Sequence, residues 1–300
     1  MKKTLITISG PTAVGKTKFS IELAKSLGCE IISCDSRQFY KEMNIGTGVP
    51  TKTELSSIKH HCIQHKSILD RYTISDFEIE SNEILNNKFK THDFMIMVGG
   101  SGLYMDASIN GLDRFPEINL NVRDELNNQY DSMGIEFLQN KLKKLDPYYY
   151  SIIDVCNYRR IIRALEVSIS TNKPYSSYLN KKNVIRPYKV FQIAINIERK
   201  DLYQLINNRV DQMITNGLLN EVKKLENHKS LTALQTVGYK ELFEYINSEK
   251  SLEHYIEEIK KNTRRYAKRQ LTWLNKKDNL FWIDNNYKIE KIISTYFESK

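Results

Sequence analysis

Gly10-Pro11-Thr12-Ala13-Val14-Gly15-Lys16-Thr17 satisfies the pattern G-x-x-x-x-G-K-[ST], and it lies between an apolar run and an amphipathic segment, Lys18 to Leu27. Its chemistry is phosphate binding. The glycines let backbone N–H groups turn inward around phosphate oxygens, Lys16 adds a point charge, and the Thr17 hydroxyl is a candidate ligand for Mg2+. The loop calls for a diphosphate or triphosphate without specifying which. A kinase or hydrolase site of this kind adds a carboxylate at the end of a neighbouring apolar strand. Here the run Phe94 to Val98 ends in Gly99-Gly100-Ser101, with no acid. The best remaining carboxylate is Asp35, in Cys34-Asp35-Ser36-Arg37-Gln38. It is either an Asx-turn or helix-cap residue, or a general base or metal ligand beside the loop.

These residues need a frame. Five β-like runs, Leu5 to Ile8, Glu30 to Cys34, Phe94 to Val98, Val190 to Ile197 and Leu280 to Ile283, are separated by stretches long enough for helices. That alternation predicts parallel strands with crossover helices, an α/β fold with its ligand site at the strand ends. Nine of the twelve glycines fall at or before Gly111 and follow the predicted strands, which points to the same edge. From 113 to 182 the pattern is helical only, with breaks at Asp146-Pro147 and Lys173-Pro174. We read this segment as a helical insertion domain in a core of residues 1–112 and 183–300. Helical segments dominate again from Arg199 to Lys277, with an interruption at Thr236 to Gly238.

The formal net charge of +9 suits an anionic partner. Between Ile259 and Lys277 there are eight Lys or Arg residues and no acid. Lys260, Lys261, Arg264, Arg265, Lys268 and Arg269 share one half of a helix, opposite Ile256, Ile259, Tyr266, Ala267 and Leu274, a density that suits a phosphate backbone. Arg159-Arg160-Ile161-Ile162-Arg163 forms a second basic cluster. The histidines His60, His61 and His65 have no Cys or carboxylate at ligand-like spacing, so no metal centre is expected there. Tyr148-Tyr149-Tyr150 reads as helix packing and surface. Cys29, Cys34, Cys62 and Cys156 form no C-x-x-C pair and read as reduced, mostly buried thiols. With no signal peptide or membrane span in the pattern, the expectation is a cytoplasmic, monomeric protein.

The loop, Asp35-Ser36-Arg37-Gln38, Asn44-Ile45-Gly46-Thr47 and Gly99-Gly100-Ser101-Gly102-Leu103-Tyr104 together resemble the tRNA dimethylallyltransferase, or tRNA isopentenyltransferase, family. The likeness continues in Arg163-Ala164-Leu165-Glu166-Val167, Val237-Gly238-Tyr239-Lys240-Glu241 and Thr263 to Trp273, in the family's order over essentially the whole chain. The resemblance implies a P-loop NTPase-like α/β core with a helical insertion, dimethylallyl diphosphate held by Gly10 to Thr17 with Mg2+, and alkylation of adenine 37 of tRNA at N6. It further implies Asp35 as base, Thr12 near the bridging oxygen of the donor, and Arg209 on the diphosphate. The tRNA anticodon stem-loop is expected on Asp35, Ser36, Arg37, Gln38, Ser101, Arg123, Arg159, Arg160, Ile161, Ile162 and Arg163, and on Arg264, Lys268, Arg269 and Gln270. Three positions depart from the family pattern. Val49 and Ser101 stand where lysine and threonine are common, and Cys156 to Arg160 lacks an Asp-Pro pair. An adenylate isopentenyltransferase, a small-molecule kinase and a non-catalytic RNA-binding module are the competing readings.

Overall fold

The structure is a computed structural model that describes residues 3–180 and 184–298. It divides into two compact units, Met1–Ile109 with Arg186–Lys300, and Asn110–Ile185. The expected junction at 182/183 lies outside the described residues.

In the first unit the strands are β1 (Thr4–Ser9), β2 (Ile31–Ser33), β3 (His60–His61), β4 (Phe94–Val98), β5 (Lys189–Asn196) and β6 (Phe281–Asp284). They form one parallel sheet in the order β3-β2-β4-β1-β5-β6. β3 was not among the five expected strands. It is a two-residue pairing against Ile31 and Ile32, too short to carry a period of its own. Every residue of β1 and β4 is buried, so both read as continuous apolar runs, as central parallel strands must. Side chains alternate between faces. Leu5, Met95 and Met97 join Phe77 and Leu85 on one side, whereas Ile6, Ile8 and Ile96 join Phe19 and Leu23 on the other.

Helices cover these faces: α1 (Lys16–Leu27), α2 (Lys52–Ser57), α3 (Ile74–Lys88) and α4 (Gly102–Asn110). A capping box of Thr73 with Asp76 starts α3. The second unit holds α5 (Leu120–Leu145), α6 (Pro147–Ile152) and α7 (Tyr158–Thr171). The first unit then resumes with α8 (Arg199–Thr215), α9 (Leu218–Lys224), α10 (Tyr239–Ile246), α11 (Leu252–Leu274) and α12 (Ile289–Glu298). Helices α8 to α11 enclose a further core of Val210, Leu218, Tyr239, Leu242 and Ile259 beneath Phe39, Tyr40 and Met43 of the segment that follows β2.

The insertion has its own apolar core, built on Leu126, Leu138, Leu142, Ile161, Ile162 and Leu165. Ile161 and Ile162 are 0% and 3% exposed, which removes them from the expected RNA surface: their periodicity serves packing, and only their neighbours Arg159 and Arg160 face solvent. Asp146 ends α5 and caps α6, accepting from the Tyr149 N–H at 2.9 Å and the Ser176 N–H at 2.7 Å. The Glu166 carboxylate is buried and accepts from Arg123 Nε at 2.9 Å, Arg123 Nη2 at 2.7 Å and Arg163 Nη1 at 2.9 Å. Burial alone would raise its pKa, but the two arginines reverse that and hold it below the usual carboxylate range. A pKa depressed on folding gives stability that is complete above the unfolded value of about 4.3 and is lost as pH falls through the folded value. Glu166→Gln is therefore expected to destabilise the protein by about 1–3 kcal/mol at pH 7, below the value for a fully buried pair because both arginines are partly exposed. In melts recorded from pH 6 to pH 3, the gap between wild type and variant should narrow toward acid.

Candidate active site

Strands β2, β4 and β1 are neighbours, so the loops that leave their carboxyl ends meet at one edge of the sheet. The first is Gly10 to Thr17. It ends at Gly15, whose φ of 94° lies in the left-handed region open to glycine, and from there α1 begins. Its free N–H groups point where an anion would sit. The Lys16 ammonium donates to Gly10 O at 3.0 Å and Pro11 O at 2.8 Å. Burial pulls its pKa down to about 7, with the nearby Arg209 charge adding to the drop and Asp35 opposing it. A polyanion here would restore the ammonium.

Asp35 leaves β2. Its Oδ1 accepts the Arg37 N–H at 2.9 Å, so the Asx-turn reading holds, and the carboxylate also faces the loop. The two readings of Asp35 are compatible. A Cβ on Gly99 would fall 1.8 Å from Cys34 O, so only glycine lets the loop after β4 lie against the segment that carries Asp35. Gln38 accepts from Ser33 Oγ at 3.0 Å and donates to Thr47 O at 3.2 Å and Gly48 O at 3.1 Å. That carboxamide fixes the 44–48 loop. From the other side Glu221 accepts the N–H groups of Asn44 (3.1 Å), Ile45 (2.8 Å) and Gly46 (3.0 Å), and the Tyr239 hydroxyl at 2.6 Å. Sequence reasoning missed Glu221 because the backbone groups it holds are more than 170 residues distant.

Arg209, on α8, is half-buried and lies against this loop, close enough that a Cβ on Gly48 would meet its guanidinium. Its pKa is lowered by burial and supported by the Asp35 charge. Two cavities open on either side of it. One, of about 470 Å3, is lined by Thr12, Lys16, Thr17, Ser33, Gly100 and Asn208 and holds the Gly10–Thr17 loop side of the site. The other, of about 600 Å3, has an apolar wall of Ile206, Val210, Met213, Leu218, Val237 and Ile259, with Arg37, Arg265, Tyr266 and Arg269 also lining it. Thr12, Asp35, Thr47 and Arg209 line both. Tyr266 has its pKa pushed up to about 12, by burial first and then by the Asp35 charge. Thr12, Asp35 and Arg209, the three residues expected to do chemistry, thus stand at the junction of the cavity beside the Gly10–Thr17 loop and a larger, partly apolar chamber.

On α11 the six expected cations divide. Lys260 is held by Asp211 at 2.8 Å and Glu257 at 3.0 Å, Lys261 by Glu258 at 2.5 Å, and Arg264 donates to Asn207 Oδ1 at 2.7 Å. Arg265, Lys268 and Arg269 remain exposed. The acids that neutralise Lys260 and Lys261 precede the basic stretch on α11, Glu257 and Glu258, or lie on α8, Asp211. Arg264 packs inward toward Asn207 and Tyr203. Gln270 is buried and bonded at both ends within the protein, so its side chain does not face RNA. Ser36 and Arg37 line the larger cavity, with Arg37 donating to Thr232 O at 3.2 Å, and Ser101 lies at the head of α4. Arg123 and Arg163 share Glu166 and keep partly exposed guanidinium groups. Cys29, Cys34 and Cys62 are buried free thiols and Cys156 is an exposed one. Among the described residues there is no cluster of three or more His, Cys, Asp or Glu that could hold a metal, and no helix long and apolar enough to cross a membrane.

The model of the IPP transferase family matches residues 38–277. A tRNA dimethylallyltransferase of Flavobacterium johnsoniae is 50% identical over 99% of this chain and 98% of its own. Among solved structures, a tRNA isopentenylpyrophosphate transferase of Bacillus halodurans superposes with a TM-score of 0.72 at 37% identity, covering 99% of this chain and 95% of that one. A eukaryotic dimethylallyltransferase acting on tRNA gives a TM-score of 0.85 at 27% identity, over 99% of this chain and 80% of that one. With a parallel sheet that carries a phosphate loop on its central strand, and with relatives of this identity along its whole length, the chain belongs to the IPP transferase family.

Proposed function

We propose that this protein transfers the dimethylallyl group of dimethylallyl diphosphate to N6 of adenine 37 in tRNA, giving N6-(dimethylallyl)adenosine and diphosphate. The observation that carries the reading is the junction at Thr12, Asp35, Thr47 and Arg209, where a phosphate-binding cavity meets a chamber with an apolar wall. The diphosphate lies on the loop with Lys16 and Arg209, and the five-carbon chain extends toward Ile206, Val210 and Val237. Adenine enters from the larger chamber. Its amine is a weak nucleophile because the lone pair is delocalised into the ring. As N6 bonds to the allylic C1 and the C1–O bond breaks, Asp35 accepts the N6 proton and the electron pair leaves with diphosphate. Thr12 stands by the departing oxygen, and Lys16, Arg209 and backbone N–H groups stabilise the growing negative charge. The oxygen donors at this end, Thr17 and Ser33 beside a diphosphate, suit Mg2+, and the ion would add charge neutralisation on the leaving group.

An adenine stacked in an anticodon loop has to swing out to reach the junction, at a cost of a few kcal/mol offset by contacts in the chamber. Arg265, Lys268 and Arg269 on α11, with Arg37, are the cations suited to the surrounding phosphates; in the insertion, Arg159, Arg160 and Arg123 are the corresponding set. These exposed arginines and lysines favour tRNA over a free adenylate. Nucleoside mass spectrometry after incubation with labelled dimethylallyl diphosphate and either tRNA or AMP is expected to find the label on tRNA adenosine alone. Label on AMP alone would overturn the choice of acceptor.

A further inference from the structure

Gln270, on α11, is bonded to two of the loops that leave the carboxyl ends of the strands. Its Oε1 accepts the Thr12 N–H at 2.8 Å and its Nε2 donates to Gly100 O at 2.9 Å. The partners fix which end is which, since an N–H requires the oxygen and a carbonyl requires the NH2. The fit is close: a Cβ on Gly100 would lie 2.3 Å from Gln270 Nε2. One carboxamide therefore ties the loop after β1 to the loop after β4, and Gly99 in turn abuts Cys34, next to Asp35. The first half of the phosphate loop is held twice, by Lys16 at Gly10 O and Pro11 O and by Gln270 at Thr12. Thr12 N–H is thereby taken by a side chain instead of turning to the anion.

The helix that supplies this side chain also carries exposed Arg265, Lys268 and Arg269, the last adjacent in sequence to Gln270. A helix moves as a rigid element, so a load on its basic face is delivered to Thr12 through one side chain. We propose that Gln270 is a positioning residue: it aligns Thr12 with Asp35 and links the seating of α11 to the geometry of the diphosphate loop. This rests on the prenyl-transfer reading given above.

Two variants test it. Gln270→Met keeps the length and removes both hydrogen bonds. Misplacing a reacting group through its support costs about 10- to 100-fold, so kcat with both substrates saturating should fall by that amount while the tRNA Kd stays within about twofold. Rates are taken per molecule competent to bind tRNA, so that a loss of folded protein does not count. Gln270→Glu is the second variant. Its carboxylate presses an anionic oxygen on Gly100 O, whereas its protonated form has the shape and bonding of the amide, accepting from Thr12 N–H and donating to Gly100 O. The ratio of Gln270→Glu to wild-type kcat should therefore rise as pH falls from 8 to 6. An unchanged kcat in Gln270→Met, a loss confined to tRNA affinity, or parallel pH profiles for Gln270→Glu and wild type would each overturn the inference. Wild type runs in the same assay, and failure of the wild type to prenylate tRNA would instead remove the underlying function.

Discussion

Asp35→Asn is expected to lower prenyl transfer by about 10²- to 10⁴-fold, the range lost when a positioned general base is removed, while tRNA affinity should stay within about threefold. The substitution is chosen for what it preserves. Asparagine keeps an oxygen that can accept the Arg37 N–H, the bond of 2.9 Å that holds the turn after β2. The shape of the junction and the backing of Gly99 on Cys34 O are unaltered. What is lost is the capacity to take a proton. Single-turnover transfer at saturating donor, beside equilibrium binding of tRNA, separates the two quantities. Wild-type turnover in the variant would remove Asp35 from the chemistry.

Arg209→Gln is expected to lower kcat by about 10²- to 10³-fold, comparable to the loss of a preorganised donor at a site of developing charge. Lysine should restore little of this, because a point charge on a flexible stem does not reproduce the planar fork of guanidinium. Gly48 supplies an independent approach to the same group. Its φ of 60° is strained for other residues, and a Cβ there would lie 2.0 Å from Arg209 Nη2. Gly48→Ala should then displace the guanidinium and lower kcat in the same direction without touching a charge. Diphosphate release with tRNA saturating measures both variants. If Gly48→Ala were neutral while Arg209→Gln was severe, the guanidinium would act from a different position than the one described.

The sheet edge that carries the candidate site was legible because its signals are local. Gly10 to Thr17 is defined by spacing, and Asp35 and Gly99 stand immediately after apolar runs that could only be buried strands. Where the sequence reading went astray, the deciding partner lay outside the motif itself. The acids that hold Lys260 and Lys261, Asp211, Glu257 and Glu258, lie outside the basic stretch. Ile161 and Ile162 lie between arginines, yet a helix turns them inward by 100° per residue. Gln270 is a polar residue in polar surroundings, and nothing in its neighbours reveals that its carboxamide is satisfied by backbone atoms of two loops elsewhere in the chain. β3 is two residues long, set by pairing with β2 rather than by any pattern. Arg209 is the contrary case. Its expected role on the diphosphate came from the likeness to a family, since a lone arginine on an amphipathic helix carries no such message, and the structure sets it near the Asp35 charge.

Thr12, Asp35, Thr47 and Arg209 line both cavities, so the junction works as a partition with a window. Donor and acceptor in the proposed reaction reach that window from different directions and need never pass one another. Spent diphosphate can leave by the route through which the donor came, without the large acceptor first lifting away. Traffic of the small molecule is thereby uncoupled from traffic of the polymer.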